Sequence, residues 1–209
     1  MKFKFYALKL SGIMIVIFLA QIMFPVFTDI FILNETSWLQ PWRFLTAIFL
    51  HGGLIHLIFN LFALFFFGSI LEKFIGGKKF LLVFFSTGIF ANLISSNFYD
   101  SSLGASGAIF GVIGALVVIR PLMMVWAFGM PLPMIVAGAL WAVGDFLGTV
   151  GFLTGNPIDN TGNIAHLSGM FFGLIFGYLY RKKFVKIKKT NVSIDENEMR
   201  LWEDNHMSR

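Results

Sequence analysis

Six long apolar runs constrain this chain more than any other feature of its sequence. A helix that crosses a lipid bilayer needs about 20 apolar residues, and each run approaches that length. With 57% hydrophobic and 13% charged residues, the 209-residue chain also lacks the charged surface of a soluble domain. We therefore predict an all-α polytopic membrane protein built as a six-transmembrane-helix bundle. The runs are Leu10 to Phe27, Leu54 to Phe74, Phe80 to Phe98, Leu103 to Ile119, Leu132 to Leu153 and Asn163 to Tyr180.

The positive charges predict the orientation of these runs. Fifteen of the sixteen Lys and Arg residues lie before the first run, in the last two residues of the second run or the loop after it, after the fourth run, or after the sixth. Only Arg43 lies in a loop of the opposite parity. Lys and Arg accumulate on the cytoplasmic side of membrane proteins, so we expect a multi-pass cell-membrane protein with both termini cytoplasmic. This distribution explains the net charge of +5 without a nucleic-acid partner.

The same pattern divides the chain into two parts. Residues 1–180 are predicted to form the membrane domain, and residues 181–209 a cytoplasmic tail that is first basic and then mixed in charge. The first run is also compatible with a signal peptide, but its length and the lack of a small-residue cleavage site favour a membrane anchor. The first outer loop, Thr28 to Leu50, mixes apolar and polar residues, so we expect part of it to lie in the membrane interface.

Four polar residues lie near the outer ends of the second, fourth and sixth runs. They are His56, Asn60, Ser106 and His166. At 1.5 Å per helical residue, each is expected about 5–10 Å below the outer boundary of the membrane. Polar side chains at such a depth are costly and indicate function by default. Any one of them alone has an ordinary structural explanation, but four at one depth favour a site.

Glycine patterns suggest how two of these runs meet. Faces of small residues allow helix backbones to approach closely in membranes, although such faces are also common in helix packing without any site. If the two faces touch, Ser106 and His166 come together, with the serine hydroxyl within reach of a ring nitrogen. The glycines are Gly107, Gly111 and Gly114 in the fourth run and Gly169, Gly173 and Gly177 in the sixth.

Together, these residue types match the requirements of acyl transfer. A serine nucleophile needs a neighbouring base, which His166 can supply to Ser106. Asn60, His56 and the unpaired backbone N–H of Ser106 can donate to an oxyanion. We expect a two-residue dyad, because Asp145 is placed deeper in the fifth run and Asp159 lies in a loop. Asp145 itself is expected to bond neighbouring helices or to mark a water path.

The residues that carry this chemistry resemble the rhomboid family of intramembrane serine proteases. The resemblance extends over nearly the whole core, from about Leu10 to Tyr180. It rests on the segments Gly104-Ala105-Ser106-Gly107, His51 to Asn60 with His56 between them, Ala165-His166-Leu167-Ser168-Gly169 and Trp42-Arg43.

The resemblance implies that Ser106 is the nucleophile, His166 the general base, and Asn60 and His56 the oxyanion donors. Trp42 and Arg43 then support the first outer loop, and His51 is either a loop brace or a catalytic residue. The implied activity is cleavage of peptide bonds in or beside transmembrane segments of other proteins. By the same resemblance, the fifth run is a candidate lateral gate. The substrates of the protein are expected to be single-span proteins in the lipid bilayer.

Two other functions stay open at this point. One is a non-catalytic rhomboid-like protein that binds membrane proteins. The other is a small transporter, which the lack of internal repeats disfavours. No cysteine is present, which excludes disulfides and thiolate chemistry, and no cluster has metal-ligand spacing, so we expect neither a metal nor a cofactor.

Overall fold

The computed structural model describes residues 4–158, 161–181 and 195–207, and this part of the chain is mostly helical. The short strands form two antiparallel pairs, β1 (Leu33–Asn34) with β2 (Ser101–Ser102) and β3 (Met124–Ala127) with β4 (Met130–Pro133). The helices are α1 (Tyr6–Met23), α2 (Phe27–Phe31), α3 (Arg43–Thr46), α4 (Leu54–Ala63), α5 (Ser69–Ile75), α6 (Gly77–Ser95), α7 (Ser106–Ile119), α8 (Met134–Leu153), α9 (Asn163–Arg181) and α10 (Glu196–His206).

Among the described residues, four helices are long and apolar enough to cross a membrane. They are α1, the continuous helix Leu54–Ile75 that joins α4 to α5 through one π-helical turn, α6 and α8. Helix α7 is apolar but shorter, with 14 residues. The prediction of a mostly helical, polytopic membrane protein is thus confirmed. The basic residues 182–194 of the predicted tail lie outside the described residues.

The first helix begins and ends four residues earlier than the first apolar run predicts. It begins early because the buried carboxylate of Glu72 accepts hydrogen bonds from the backbone N–H groups of Lys4 and Ala7 at 3.2 Å. These bonds satisfy N–H groups that the first turn of a helix leaves unpaired. The helix ends at Met23 because Pro25 disfavours helical backbone in the residue before it, and Phe24 is extended (φ −125°, ψ 99°).

Helix α7 forms the centre of the bundle. Ten of its 14 residues are buried, so it is enclosed on nearly every side, as expected for a helix that is apolar all round. It packs against α6, α8 and α9. Small residues allow the close approach to α6: a Cβ added to Gly107 would lie 2.7 Å from Ala91 Cβ. The start of α7 is therefore held from several sides.

The first outer loop is tied both to itself and to the segment before α7. Arg43 is buried, and its Nη1 donates to the carbonyl oxygens of Asp29 and Ile32, each at 2.7 Å. Strand β1 of this loop pairs with β2, which precedes α7 by four residues. The loop thus supports the chain segment that leads into Ser106.

Candidate active site

Ser106 is the first residue of α7 and is half-buried. The chain reaches it through Gly104, whose φ of +125° suits glycine and whose N–H donates to Ala47 O at 2.9 Å. The backbone N–H groups of the first helical turn have no partner within the helix. A group bound beside Ser106 therefore faces free backbone donors.

His166 lies in the first turn of α9, and its ring lies flat on Phe110. The two ring centroids are 4.3 Å apart and the planes differ by 5°. Phe110 follows Ser106 by four residues on α7, so both side chains lie on one face of that helix. The stacking therefore holds the His166 imidazole on the helix face that carries Ser106.

The glycine faces of α7 and α9 meet, as the sequence predicts. A Cβ added to Gly169 would collide with the backbone carbonyl of Gly107, and one on Gly173 with that of Gly111. Farther along, a Cβ on Gly177 would lie 2.8 Å from Ala115 O. The two helix backbones are therefore in direct contact along three turns, which requires glycine on α9.

The described residues contain no hydrogen bond between the Ser106 hydroxyl and His166. From the sequence we expect these two groups within hydrogen-bond reach. The hydrogen bond that the His166 ring does make runs from Nδ1 to another residue. Catalytic hydrogen bonds are often long or poorly aligned in unliganded enzymes and tighten when substrate binds. The shared helix face is thus the geometric link between the two side chains.

The partner of His166 Nδ1 is Asp145, whose Oδ1 lies 2.9 Å away. This corrects the expectation that no carboxylate lies near His166. Both side chains are well shielded, with 13% of the histidine and 10% of the aspartate exposed. Asp159, the second carboxylate considered as a partner of His166, lies outside the described residues. His166 of the described site therefore has a carboxylate partner.

The expectation failed because α8 extends beyond the start of α9. Counted from the outer end of its own helix, Asp145 lies about 12 Å deep and His166 about 5 Å deep. However, Gly148 of α8 packs against Asn163, the first residue of α9, where an added Cβ would lie 2.6 Å from Asn163 Cγ. In antiparallel helices with this register, Asp145 lies level with His166.

His56 and Asn60 are one turn apart on α4, and both border the cavity that Ser106 and His166 also line. The His56 ring lies against Gly104, where a Cβ would be 2.9 Å from Nε2. Its Nδ1 accepts from Gly52 N–H at 3.5 Å, an arrangement that leaves the proton on Nε2. Asn60 Nδ2 donates to His56 O at 2.8 Å, which leaves its second N–H for a ligand.

His51 is fully buried beside this pair. Its backbone N–H donates to Gln21 Oε1 at 2.9 Å, and its Nδ1 lies 3.2 Å from Phe49 O. Burial, and then the nearby His56, lower the pKa of His51 to about 4 against the opposing effect of the Phe49 carbonyl. These contacts favour a role in bracing the loop. The third loop residue, Trp42, precedes α3 and is half-exposed.

The cavity has a volume of about 1320 Å³ and runs between α4 and α8. Its outer part is lined by the polar residues described above, and its inner part by aromatic side chains, including Phe66, Trp126 and Trp141. Such a cavity has room for an extended peptide segment together with water. Within the described ranges, no group of three or more His, Asp or Glu residues is placed to hold a metal ion.

The structure shows two partners of His166 that were not predicted from the sequence, Phe110 and Asp145. Phe110 lies four residues after Ser106, a spacing that marks the same helix face. Asp145 is an ionisable residue within an apolar helix, which signals function by default. The spacing and the charge are visible in the sequence, but their common partner is not.

Comparisons with known proteins identify the family of the chain. Residues 39–183 match the family model described as Rhomboid domain. The chain is 38% identical over 135 residues to Rhomboid protease GluP of Bacillus subtilis (strain 168), covering 63% of this chain and 25% of that protein. RHOMBOID-like protein 7 of Arabidopsis thaliana is 33% identical over 142 residues, 67% of this chain and 43% of that protein.

A third relative is Rhomboid protease GlpG of Yersinia pseudotuberculosis serotype I (strain IP32953), 25% identical over 146 residues, which are 69% of this chain and 50% of that protein. The chain thus spans between a quarter and a half of the length of these relatives.

Proposed function

The chain belongs to the rhomboid family, and we propose that it is an intramembrane serine endopeptidase with Ser106 as nucleophile and His166 as general base. Its substrates are membrane proteins that are cut in or beside a transmembrane segment. The observation that carries the proposal is the stacking of the His166 ring on Phe110, on the same face of α7 as Ser106. The names of two relatives, Rhomboid protease GluP and Rhomboid protease GlpG, support it.

The reaction proceeds in two steps of acyl transfer. Ser106 Oγ attacks the scissile carbonyl carbon while its proton passes to His166 Nε2. The same proton then passes to the leaving amine as the C–N bond breaks. Asn60 Nδ2, His56 Nε2 and the Ser106 N–H donate to the oxyanion. Water then attacks the acyl-enzyme with His166 again as base, which releases the second product and restores the serine.

We place this site in a six-span membrane domain of residues 1–180, with the tail of residues 181–209 in the cytoplasm. The spans of this proposal are the four helices that are long and apolar enough to cross a membrane, α1, Leu54–Ile75, α6 and α8, together with α7 and α9. Lys and Arg accumulate on one side of these spans, which supports cytoplasmic termini in a cell membrane. Because α7 and α9 then begin at the outer side, the cavity opens toward that face. No cofactor takes part.

The test is cleavage of a single-span substrate by the purified protein in detergent. The parent protein is expected to cut, and Ser106→Ala and His166→Ala are expected to lose the activity while retaining the thermal unfolding midpoint. Ser96→Ala, which changes a half-buried serine just after α6 that does not line the cavity, is the matched control. If Ser106→Ala cuts as fast as the parent protein, the nucleophile is another group and the assignment is wrong.

One observation favours a second function, a non-catalytic protein that binds other membrane proteins: Ser106 makes no hydrogen bond to His166 in the described structure. A fluorophosphonate probe separates the two functions, because it labels only an activated serine. Labelling that is lost in Ser106→Ala and in His166→Ala indicates the protease. An unlabelled protein that still retains a single-span substrate on a column indicates the binder.

A further inference from the structure

Asp145 is the buried ionisable residue of α8. Apart from Thr149, the other residues of α8 are apolar or glycine, and several of them are exposed, among them Val143 and Phe146. An aspartate within such a helix is costly unless it is paired. Its Oδ1 is paired at 2.9 Å with His166 Nδ1.

The rest of the Asp145 environment contributes little to its stability. Its second oxygen, Oδ2, is buried and has no hydrogen-bond partner among the described residues. The hydroxyl of Thr149, one turn further along α8, is likewise buried without a partner there. A buried polar atom without a partner is energetically costly. Among the described residues, the hydrogen bond to His166 is therefore the one contact that offsets the cost of burying the Asp145 carboxylate.

We propose that Asp145 is a positioning residue of the reaction, which holds His166 in the tautomer with the proton on Nδ1. This inference rests on the proposed protease function. Asp145 does not line the cavity that Ser106 and His166 border. It acts through the imidazole, which it fixes from one edge while Phe110 fixes the ring plane. The lone pair of His166 Nε2 is then available to the Ser106 hydroxyl.

The charges balance in each step. As the Ser106 proton moves to His166 Nε2, the imidazole becomes an imidazolium whose positive charge is neutralised by the Asp145 carboxylate. When the proton passes to the leaving amine, the imidazole is neutral again. Asp145 stays ionised throughout, as the carboxylate does in a serine-histidine-aspartate triad. Neither an additional reactant nor a metal is needed.

The first experiment measures kcat and KM for Asp145→Asn, with Thr149→Val as the matched control on the same helix. Asparagine keeps the shape but can present its NH₂ group to His166, which favours the wrong tautomer. We expect kcat to fall at least about 10-fold, with an upper limit near the ~10⁴-fold loss for the same change in a triad. KM should change less than about twofold. Asp145→Glu retains the charge and should recover part of kcat.

The second readout is the pH profile of kcat/KM. Asp145 of α8 and His56 of α4 are the ionisable side chains that face His166 in the described structure, and Phe110 of α7 is neutral. Because this carboxylate is the charged group next to the imidazole, its removal should change the acid limb of the profile. A residue with a purely structural role would lower the amount of active protein without moving this limb.

The third readout is made on the parent protein itself. The chain has four histidines, so ¹⁵N labelling of the rings gives few signals to assign, with His166→Gln identifying the relevant one. In the parent protein the His166 proton is expected on Nδ1. A proton on Nε2 overturns the inference, and so does an Asp145→Asn variant with the kcat and acid limb of the parent protein.

These outcomes separate the two proposals. If the parent protein cuts in a Ser106-dependent manner and Asp145→Asn equals it, only the positioning role fails. If the parent protein does not cut and no fluorophosphonate labels it, the protease function fails, and a proton on Nδ1 then describes only a structural hydrogen bond.

Discussion

Replacement of Gly169 by alanine is expected to disturb the site without changing any polar residue. Gly169 follows His166 by three residues on α9 and faces the backbone of α7. An added Cβ would collide with the carbonyl oxygen of Gly107 and lie 2.8 Å from its carbonyl carbon and 3.3 Å from its Cα. Carbon atoms are normally at least about 3.5 Å apart. The helices must therefore separate by on the order of 1 Å.

This separation affects stability and rate differently. Overpacking of a close contact costs about 1–3 kcal/mol of unfolding free energy. A displacement of about 1 Å in a catalytic group can lower the rate about 100-fold. Because Gly169 lies one turn from His166, we expect kcat/KM to fall by about that factor while the protein still folds. Gly173→Ala, one turn farther from His166, should lose a similar amount of stability and less of its rate.

The assay compares Gly169→Ala with Gly144→Ala. Gly144 lies on α8, where an added Cβ would meet nothing within 4 Å, so the control introduces the same methyl group into open space. Cleavage of a single-span substrate gives the rate, and thermal unfolding in detergent, followed by tryptophan fluorescence, gives the stability.

If Gly169→Ala matches the control in both measurements, the helices do not touch at this point and the reasoning is wrong. If only stability falls, the contact exists but does not position His166.

Three further predictions concern the residues around the site. Arg43→Lys removes the planar fork that donates at 2.7 Å to two carbonyl oxygens, so the unfolding midpoint should fall by the equivalent of about 1.5–3 kcal/mol, and an unchanged midpoint would contradict the bracing role. Because burial lowers the pKa of His51 from 6.5 to about 4, its contribution to stability is complete above pH 6.5 and is lost as the pH falls toward 4. The unfolding midpoint of His51→Gln should therefore depend less on pH between these values than that of the parent protein. An equal pH dependence in the two proteins would contradict this role of His51. Gly104→Ala strains a backbone with φ +125° and pushes on the His56 ring, so kcat should fall at least about 10-fold, whereas Gly53→Ala, where a Cβ meets nothing within 4 Å, should keep the parent rate.

The helices were predictable from sequence because the signal is local. An apolar run of about 20 residues identifies a membrane helix regardless of its neighbours. The errors lie at the ends, where non-local groups act: the N-terminus of α1 is satisfied by the Glu72 carboxylate, which comes 65 residues after Ala7 in the chain. The resemblance to the rhomboid family is confirmed by the match of residues 39–183.

The meeting of α7 and α9 was also predictable, and for a physical reason. Glycine at every turn of one helix face has few uses other than close backbone contact. The structure confirms this prediction at Gly169 and Gly173. The assignment of Ser106 and His166 as catalytic residues, in contrast, stays a prediction that the cleavage and labelling experiments address.

The sequence by itself determined the class of protein, the positions of its helices and the polar residues that enter them near one end. These properties follow from hydrophobic length, charge asymmetry and residue spacing, all of which are local. Only the tertiary structure decided which of those residues share a partner. Asp145 meets His166 because α8 continues past the start of α9, and this offset depends on the packing of Gly148 against Asn163 and on the loop between the helices. A depth counted from the ends of single helices contains no information on such an offset.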